Sequence, residues 1–329
     1  MAGNDAGRSP RGKRPLISIT IPVLNESDNM DRLYQRLVAV GDKLADRCDI
    51  EIVFSDNCSE DDTWQKIEAL SKRDDRVRGI RFAKGVGFQR SILANFLHTR
   101  GDAIMQLDAD LQDPPEMLEA FMDRWEEGFD VVYGIRRSRP EPALLRGFRN
   151  VGYTVIGMIS EHPIPRQAGD FRLIDRKVLN ALVKFRTPNP YLRGMIAGLG
   201  FRQMGIEYDR DARVAGKSKF GVNRLLRLGL TAVFNHSSVP LRLATVVGLA
   251  AMAASVLGTI YYVVLRLVRP DLPPGLASIH ILVLFGIGLQ SVLLGIIGEY
   301  ILRIYVMLRG DPVAIIDQSV NFSDDELKL

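Results

Sequence analysis

The sequence predicts an α/β domain built on a mostly parallel sheet, followed by an amphipathic interface helix and a pair of transmembrane helices. Two observations lead to this fold class. Short β-branched runs alternate with helical patterns through residues 16–219, which is typical of a sheet covered by helices on both faces. Two long apolar blocks then follow in the last third of the chain. A sheet of this kind binds its ligands at the carboxyl ends of its strands.

The first elements can be predicted one by one. Residues 16–23 (LISITIPV) are β-branched and alternating, which indicates a strand, and residues 28–44 carry apolar side chains at helical spacing. The same patterns predict further strands over 50–54, 78–82, 103–107, 131–133 and 206–209, and helices over 64–70 and 88–98. Strands that alternate with helices pair mostly in parallel.

The two apolar blocks predict a transmembrane hairpin. Residues 243–265 contain no charged side chain, and a stretch of this length can span a hydrocarbon core. Residues 279–302 form a second stretch of similar length, interrupted only by His280, Gln290 and Glu299, and a Pro/Gly-rich loop joins the two. Arginines flank the domain side of both stretches, which favours a cytoplasmic catalytic domain. The alternative is a pair of buried core helices.

The remaining parts of the chain complete the predicted organisation. Residues 1–15 form a short, polar, basic tail without the apolar core of a signal peptide, and we expect it to be disordered. A folded domain covers 16–219. Residues 220–240 place leucines beside Arg224 and Arg227, a pattern typical of a helix lying in a membrane interface. The two transmembrane helices lie within 241–304, and 305–329 form a cytoplasmic tail.

Charge and cysteine content exclude two classes of function. The net charge of +4 is small and scattered, which argues against a nucleic-acid partner. The two cysteines, Cys48 and Cys58, have no Cys/His metal spacing around them. Such usage fits a reducing compartment and excludes a disulfide framework.

A metal site is predicted after the fourth strand. The apolar run 103–107 is followed by Asp108, Asp110 and Gln112. In extended backbone these three positions share one face, so two carboxylates and an amide oxygen would converge. Hard oxygen ligands of this kind suit Mg²⁺ or Mn²⁺. The alternative is a solvated acidic turn that caps the helix beginning near Pro115.

Six motifs in a fixed order carry a family resemblance. They are PVLNE (22–26), DNCSEDDT (56–63), DADLQDPPE (108–116), GIRRSR (134–139), GDFRLIDR (169–176) and RVAGKSK (213–219). The chain resembles the family-2 glycosyltransferases, and more narrowly the polyprenyl-phosphate group that holds dolichyl-phosphate mannosyltransferases and undecaprenyl-phosphate glucosyltransferases. GEYILRIY (298–305) is similar to the bacterial glucosyltransferase branch. The resemblance implies a GT-A (Rossmann-like) catalytic domain, an NDP-sugar donor, Mg²⁺ or Mn²⁺, and a polyprenyl-phosphate acceptor at the membrane.

Donor and metal residues follow from the matched motifs. Asp56 at a strand end can accept the N–H groups of a nucleotide base, whereas Asp61 and Thr63 are interpreted as mainly structural N-capping residues. Asn57 stands where the family usually has a second Asp, so its role is open. The predicted nucleotide-sugar site comprises Pro22, Asn25, Glu26, Asp56, Asn57 and Asp108, and the metal site comprises Asp108, Asp110 and Gln112.

Arginines after the metal motif predict the acceptor site, because guanidinium groups bind phosphate in a bidentate manner. The predicted phosphate-binding residues are Arg136, Arg139, Arg146, Asn150, Arg213 and Lys219. The catalytic residues are predicted to be Asp110, Arg136 and Asp170. The resemblance places Asp170 at the general-base position. A phosphate monoester is largely ionised at neutral pH, with a second pKa of about 6, so our hypothesis is that Asp170 mainly positions substrate.

The sequence therefore predicts a metal-dependent, inverting hexosyltransferase of the bacterial inner membrane, with several spans and a cytoplasmic catalytic domain. It would move a hexose, with glucose from UDP-glucose the best guess, to undecaprenyl phosphate for cell-envelope glycan modification. Mannose from GDP-mannose, an N-acetylhexosamine or a modified sugar are the alternatives. A processive synthase is disfavoured because no Gln-x-x-Arg-Trp motif follows the site; the rival of another class is a non-catalytic sugar-nucleotide sensor or scaffold. The resemblance is also compatible with homo-oligomers formed through the hairpin.

Overall fold

The computed structural model describes residues 14–137, 168–185, 190–209, 239–268, 275–310, 312–323 and 325–327. The described residues divide into two compact units, which we call the sheet unit (through 209, and from 310 onward) and the helical unit (239–268 and 275–309). The predicted basic tail and the predicted interface helix lie almost wholly outside the described residues, as does most of the loop between the two long helices.

An eight-stranded sheet forms the frame of the sheet unit. The strands are β1 (Leu16–Val23), β2 (Asp49–Asp56), β3 (Val77–Phe82), β4 (Ala103–Gln106), β5 (Val131–Arg136), β6 (Ala168–Asp175), β7 (Gln203–Tyr208) and β8 (Ile316–Val320). Their order is β7-β5-β6-β4-β1-β2-β3-β8. Pairing is parallel at β1 with β2, β1 with β4, β2 with β3 and β5 with β7, whereas β6 and β8 run antiparallel to their neighbours. The predicted α/β class with a mostly parallel sheet is confirmed.

The helices cover both faces of this sheet. They are α1 (Ser27–Lys43), α2 (Thr63–Ser71), α3 (Phe88–Leu97), α4 (Leu118–Glu126), α5 (Arg176–Leu182) and α6 (Leu192–Gly198), and a 3₁₀ turn (Pro115–Met117) precedes α4. In α1, Met30, Leu33 and Leu37 recur at helical spacing and are buried, while the other face is charged and exposed. Helical periodicity predicted α1 to α3 within two residues at each end.

The central strand β1 shows why both faces are filled. Ile17, Ile19 and Ile21 are fully buried, and so are Ser18 and Thr20 on the opposite face. The two buried hydroxyls are satisfied, because Ser18 Oγ donates to Glu51 and Thr20 Oγ1 lies 3.0 Å from Gln106 Oε1. A parallel strand covered on both faces needs no alternation of apolar and polar residues.

The sequence analysis did not predict two of the strands. Residues 168–175 form β6, which lies antiparallel between β4 and β5, and the C-terminal residues 316–320 form β8 at the edge beside β3. The segment around β8 is fastened by polar contacts: the amide of Asn321 donates to the carbonyls of Ser71 and Val77. Arg78, fully buried, pairs with Glu326 through Nη2 and with Glu51 at 3.2 Å. The chain thus returns to the sheet after the helical unit.

The helical unit consists of α7 (Val239–Val268, 30 residues) and α8 (Leu276–Arg309, 34 residues). The two helices contact each other, with Leu293 packed near Gly248. Within the described residues, Phe285–Arg309 is long and apolar enough to cross a membrane, and Val246–Gly258 is a shorter apolar stretch. Both predicted apolar spans are therefore helical.

Candidate active site

The site lies where the order of strands reverses. The chain runs outward from β1 through β2 to β3 and then returns to β4 on the other side of β1. Ligands of open α/β sheets bind at such a switch point, beside the carboxyl ends of the strands. The segments that follow β1, β2 and β4 carry Asn25, Asp56 and Asp108, and Val23 at the end of β1 is aligned with Asp56.

The loops that follow β1 and β2 interlock through hydrogen bonds. The Asn25 carboxamide accepts from the backbone N–H of Glu60 at 2.8 Å, and the N–H of Asn25 donates to Ser59 Oγ at 3.0 Å. The N–H of Glu26 donates to Thr63 Oγ1 at 3.0 Å. Asn25 adopts a left-handed φ of 55°, which asparagine tolerates better than most residues. These hydrogen bonds hold the loops after β1 and β2 together, with Pro22 inside β1 and Glu26 immediately before α1.

Asp56 is the candidate base acceptor at the end of β2. Its side chain is fully buried, and Oδ1 accepts from the N–H of Ser59 at 3.1 Å. Oδ2 makes no hydrogen bond among the described residues and lies 3.4 Å from Arg81 Nε. Burial raises the pKa of Asp56 above its ordinary value, although Ser59 and Arg81 oppose the shift. A buried acceptor oxygen that lacks a hydrogen bond suits a ligand N–H such as that of a nucleotide base.

Asn57, which follows β2, links the end of β1 to the loop before α3. Its Oδ1 accepts from the backbone N–H of Val86 at 2.8 Å, and its own N–H donates to the carbonyl of Val23. Val86 belongs to the loop that enters α3, so Asn57 fixes that loop against the end of β1. The amide oxygen is thus committed to the protein, and only its NH₂ group remains to face a nucleotide.

The predicted metal ligands Asp108, Asp110 and Gln112 lie on a turn and not on a strand. β4 ends at Gln106, two residues before Asp108, and Leu111 adopts a left-handed φ of 59°. The prediction that Asp108, Asp110 and Gln112 share the face of an extended strand is wrong for this reason. The turn places the backbone N–H of Gln112 3.2 Å from Asp110 Oδ1. Asp110 is buried and Asp108 and Gln112 are partly exposed, so the motif borders the pocket.

Negative charge accumulates around Asp108. Its Oδ1 is buried and makes no hydrogen bond among the described residues. Burial, together with the carboxylates of Asp113, Asp110 and Asp170, raises the pKa of Asp108 to about 7. Arg136 partly offsets this effect. The cluster therefore favours a cation at its centre.

The residues present fit a divalent cation. Asp108 and Asp110 supply carboxylates, one of whose oxygens is buried and lacks a hydrogen bond, and Gln112 supplies an amide. Among the described residues, no group of three or more His, Cys, Asp or Glu side chains is arranged as a complete metal site. A set of two carboxylates leaves open coordination positions, which is typical of sites where Mg²⁺ or Mn²⁺ also binds substrate phosphates.

Arg136 belongs to a three-residue cluster at the end of β5. Its Nη2 donates to Asp113 Oδ2 at 3.1 Å and its Nε donates to Tyr208 at 3.1 Å, while the Tyr208 hydroxyl donates to Asp113 Oδ1 at 2.5 Å. Burial opposes the charge of Arg136, but Asp113 and Tyr208 outweigh it and raise its pKa. The guanidinium crosses the backbone of Gly169, where a Cβ would lie 3.0 Å from Nη2. Arg136 is thus a permanent cation beside Asp108.

Asp170 lies on β6 with its side chain 15% exposed. Gln89 Nε2 donates to its Oδ2 at 3.2 Å, and Arg193 Nη2 lies 3.5 Å from the same oxygen. Its charge acts on Asp108, so the structure brings these two predicted site residues together. Burial lowers the pKa of nearby Arg172 to about 10, and Arg172 Nη2 donates to the carbonyl of Gly169 at 2.8 Å.

Five predicted acceptor residues lie outside the described residues: Arg139, Arg146, Asn150, Arg213 and Lys219. Conversely, the structure adds Asp113, Tyr208, Gln89 and Arg193, which the sequence analysis did not single out. Asp113 stood inside the DADLQDPPE motif and could have been found there. Tyr208, Gln89 and Arg193 reach the site only through the packing of β7, α3 and α6, and no local sequence signal marks them.

The chain is similar in sequence to known glycosyltransferases. The description "Glycosyl transferase family 2" matches residues 18–183, half of the chain, and the chain belongs to this family. It is 33% identical over 311 residues to "Uncharacterized glycosyltransferase YkcC" of Bacillus subtilis, covering 94% of this chain and 96% of that protein. It is 32% identical over 304 residues to "SfII prophage-derived bactoprenol glucosyl transferase" of Shigella flexneri, covering 92% and 98%.

A likeness to a solved structure was also found. The mannosyltransferase PcManGT from Pyrobaculum calidifontis, solved in complex with GDP-Man and Mn²⁺, is 19% identical with a TM-score of 0.48. The likeness covers 68% of this chain and 64% of that one. The family membership predicted from the six motifs is confirmed, and the chain is a glycosyltransferase.

Proposed function

We propose that this protein transfers glucose from an NDP-sugar, with UDP-glucose the preferred donor, to the phosphate of a polyprenyl lipid. The observation that carries the proposal is the cluster of Asp110, Asp113, Asp170 and Arg136 around Asp108 at the switch point of the sheet. A relative that is 32% identical and aligns with 92% of this chain is named a bactoprenol glucosyl transferase. Its name supports a glucosyl group as the transferred sugar and a lipid as the acceptor. The reaction requires Mg²⁺ or Mn²⁺.

The donor is held from its base to its diphosphate. Asp56 accepts the N–H of the base through Oδ2, and the interlocked loops of Asn25 and Glu26 close the pocket around the nucleoside. Asp108, Asp110 and Gln112 would hold the metal ion. When bound, the metal supplies the positive charge that stabilises the leaving nucleoside diphosphate.

The acceptor phosphate needs little activation. One of its oxygens forms a bond to the anomeric carbon as the bond from that carbon to the diphosphate breaks, which inverts the configuration and releases the nucleoside diphosphate. The phosphate oxygen is already largely ionised near pH 7 because its second pKa is about 6. Asp170 therefore orients a hydroxyl group, and the Arg136 guanidinium, fixed by Asp113 and Tyr208, adds positive charge near the phosphates.

Membrane association follows from the helical unit. The apolar segment Phe285–Arg309 is of spanning length, and α7 packs beside it. β7 precedes these helices and β8 follows them, and both strands belong to one sheet. A chain that leaves and re-enters the same sheet crosses a membrane an even number of times. We therefore propose that α7 and α8 form a two-span hairpin in the bacterial inner membrane and that the sheet unit is cytoplasmic.

Transfer to a lipid extract tests the proposal directly. The full chain, purified in detergent, is incubated with radiolabelled UDP-glucose, undecaprenyl phosphate and Mg²⁺ or Mn²⁺. We expect label in the organic phase only when both lipid and metal are present. Label in a long polymer would indicate a processive synthase, and tight UDP-glucose binding without transfer would indicate a sensor. Parallel reactions with GDP-mannose and UDP-N-acetylglucosamine identify the sugar.

A further inference from the structure

The Asp170 carboxylate is held from one side by a side chain that the mechanism above does not use. Gln89, the second residue of α3, donates from Nε2 to Asp170 Oδ2 at 3.2 Å and accepts through Oε1 from the backbone N–H of Leu192 at 3.1 Å. A backbone N–H can only donate, so the amide oxygen must face Leu192 and the NH₂ group must face Asp170. The hydrogen bonds therefore assign one orientation to the amide and make Oδ2 an acceptor.

A second donor approaches the same oxygen. Arg193, on α6, places Nη2 3.5 Å from Asp170 Oδ2, and its Nε is buried without a hydrogen bond among the described residues. On the other side, Arg172 Nη2 lies 3.8 Å from Asp170 Oδ1 and donates instead to the carbonyl of Gly169. Oδ2 is thus held twice, whereas Oδ1 has only this long contact within the described residues.

We propose that Gln89 and Arg193 form a clamp on Asp170: they occupy Oδ2, fix the orientation of the carboxylate, and leave Oδ1 as the acceptor for a hydroxyl group of the donor sugar. Both are positioning residues, since neither needs to touch the reacting atoms. The inference rests on the proposed function, because it assigns the role of Asp170 within that reaction. It also gives α3 and α6, which carry none of the six motifs, a part in the site.

The clamp has a chemical consequence that distinguishes it from a general base. Because Gln89 and Arg193 hold Oδ2, the role left to Oδ1 is to accept a hydrogen bond from a sugar hydroxyl. Asp170→Asn keeps an acceptor oxygen, so a positioning role predicts that this variant retains part of the activity. A general base would lose nearly all of its function in Asp170→Asn, with kcat falling by several orders of magnitude at saturating substrate.

The kinetic test compares five variants with a matched control. We expect Gln89→Met and Arg193→Met each to lower kcat about tenfold, as the loss of a hydrogen bond to a charged group implies, with the KM for UDP-glucose within about twofold of the parent. Arg193→Lys should restore part of the loss. Adding Gln89→Met to Asp170→Asn should cost little more than Asp170→Asn alone. Arg124→Met, which removes an exposed arginine paired with Glu127 on α4, should behave as the parent. Full activity in Gln89→Met and Arg193→Met would overturn the clamp.

A second measurement decides the clamp without any assay of transfer. The unfolding temperature of the full chain in detergent is measured for Gln89→Met, Asp170→Asn and the double variant. Residues in direct contact give effects that do not add, so we expect the double variant to unfold at a higher temperature than the two single shifts predict. Additive shifts would overturn the clamp. A parent chain that transfers no sugar to lipid would overturn the proposed function, and the unfolding cycle would still report on the contact.

Discussion

Asp110 shows how much of this site depends on single residues. Its carboxylate is buried, and it accepts the N–H of Gln112 inside the turn after β4. We expect Asp110→Ala to lower transfer by at least about 100-fold, since the metal that Asp110 is proposed to bind would stabilise the leaving group by several kcal/mol. Initial rates with UDP-glucose and undecaprenyl phosphate measure the effect, and circular dichroism checks the fold. Asp31→Ala, which removes an exposed carboxylate paired with Lys66, is the control. Full activity of Asp110→Ala in metal-free buffer would contradict the assigned metal site.

Gly169 tests whether the position of Arg136 matters. A Cβ at this residue would lie 3.0 Å from Arg136 Nη2, and the flexible guanidinium can move aside. We expect Gly169→Ala to lower kcat about tenfold, because the displaced cation no longer sits beside Asp108, while the free energy of unfolding changes by less than about 1 kcal/mol. Steady-state kinetics and urea unfolding measure the two quantities. Gly258→Ala, at a position where a Cβ meets nothing within 4 Å, provides the comparison. A loss of activity that is accompanied by a large fall in the free energy of unfolding would indicate a folding defect.

At the scale of elements, the sequence predicted the strands and helices that show a local periodicity. It did not predict the contacts that depend on packing between distant residues. The alternating LISITIPV run and the spacing of Met30, Leu33 and Leu37 determine β1 and α1 locally. Asp56 ends β2 and Asp108 follows β4, in keeping with the convergence of strand ends in a parallel sheet, whereas their roles in binding stay predictions. The turn at Leu111 and the Tyr208–Asp113 contact depend on residues far apart in the chain, so no local pattern could indicate them.

The C-terminal strand β8 is the clearest case of an element that no sequence pattern predicts. The strand has five residues, and Asp317 and Gln318 are exposed, so its pattern resembles that of a loop. Tertiary contacts stabilise it: Phe322 stacks on the Arg78 guanidinium at 3.8 Å, and Ile316 and Phe322 pack on a small cluster with Ile80, Phe82 and Ala94. Arg90 Nε also donates to the carbonyl of Val313 at 2.9 Å.

The packing of β8 and of the residues that follow it against the rest of the sheet unit should depend on pH. Hydrogen bonds from Ser323, and the charge of Arg78, lower the pKa of Glu326 from 4.5 to about 2 in spite of its partial burial. A depressed pKa in the folded state contributes stability above the ordinary value, and this stability is lost as the pH falls from 4.5 toward 2. We expect the protection factors of the β8 amides, which correct for the intrinsic pH dependence of exchange, to decrease over this range before those of β1 do.

A variant isolates the contribution of this carboxylate. Glu326→Gln should accelerate the exchange of β8 about tenfold at pH 7, since it removes a charge-assisted hydrogen bond, and should weaken the pH dependence. Glu119→Gln, at an exposed ion pair with Lys43, should have no effect on β8. Exchange of β8 that keeps its full pH dependence in Glu326→Gln would show that other carboxylates control the docking.

At the scale of the whole molecule, the sheet constrains the membrane topology. β3 lies before the helical unit and β8 after it, yet the two strands are hydrogen-bonded neighbours. We expect green fluorescent protein fused after Leu329 to be fluorescent in bacteria, and an N-terminal tag to be protected from protease added to spheroplasts. Both results place the two ends in the cytoplasm. A protected N-terminus with an accessible C-terminus would contradict the two-span hairpin.

The pairing of β3 with β8 also imposes an order on biosynthesis. Arg78 and Glu326 are separated by 248 positions, so the ribosome completes both long helices before the partner of β3 emerges. Until then the edge of β3 has unpaired backbone groups, and Arg78 lacks one of its counter-charges. Translation that stops early leaves this edge open to aggregation and proteolysis. If α7 and α8 span a membrane as proposed, the sheet closes only after both spans have been synthesised and the chain has returned to the side of the sheet unit.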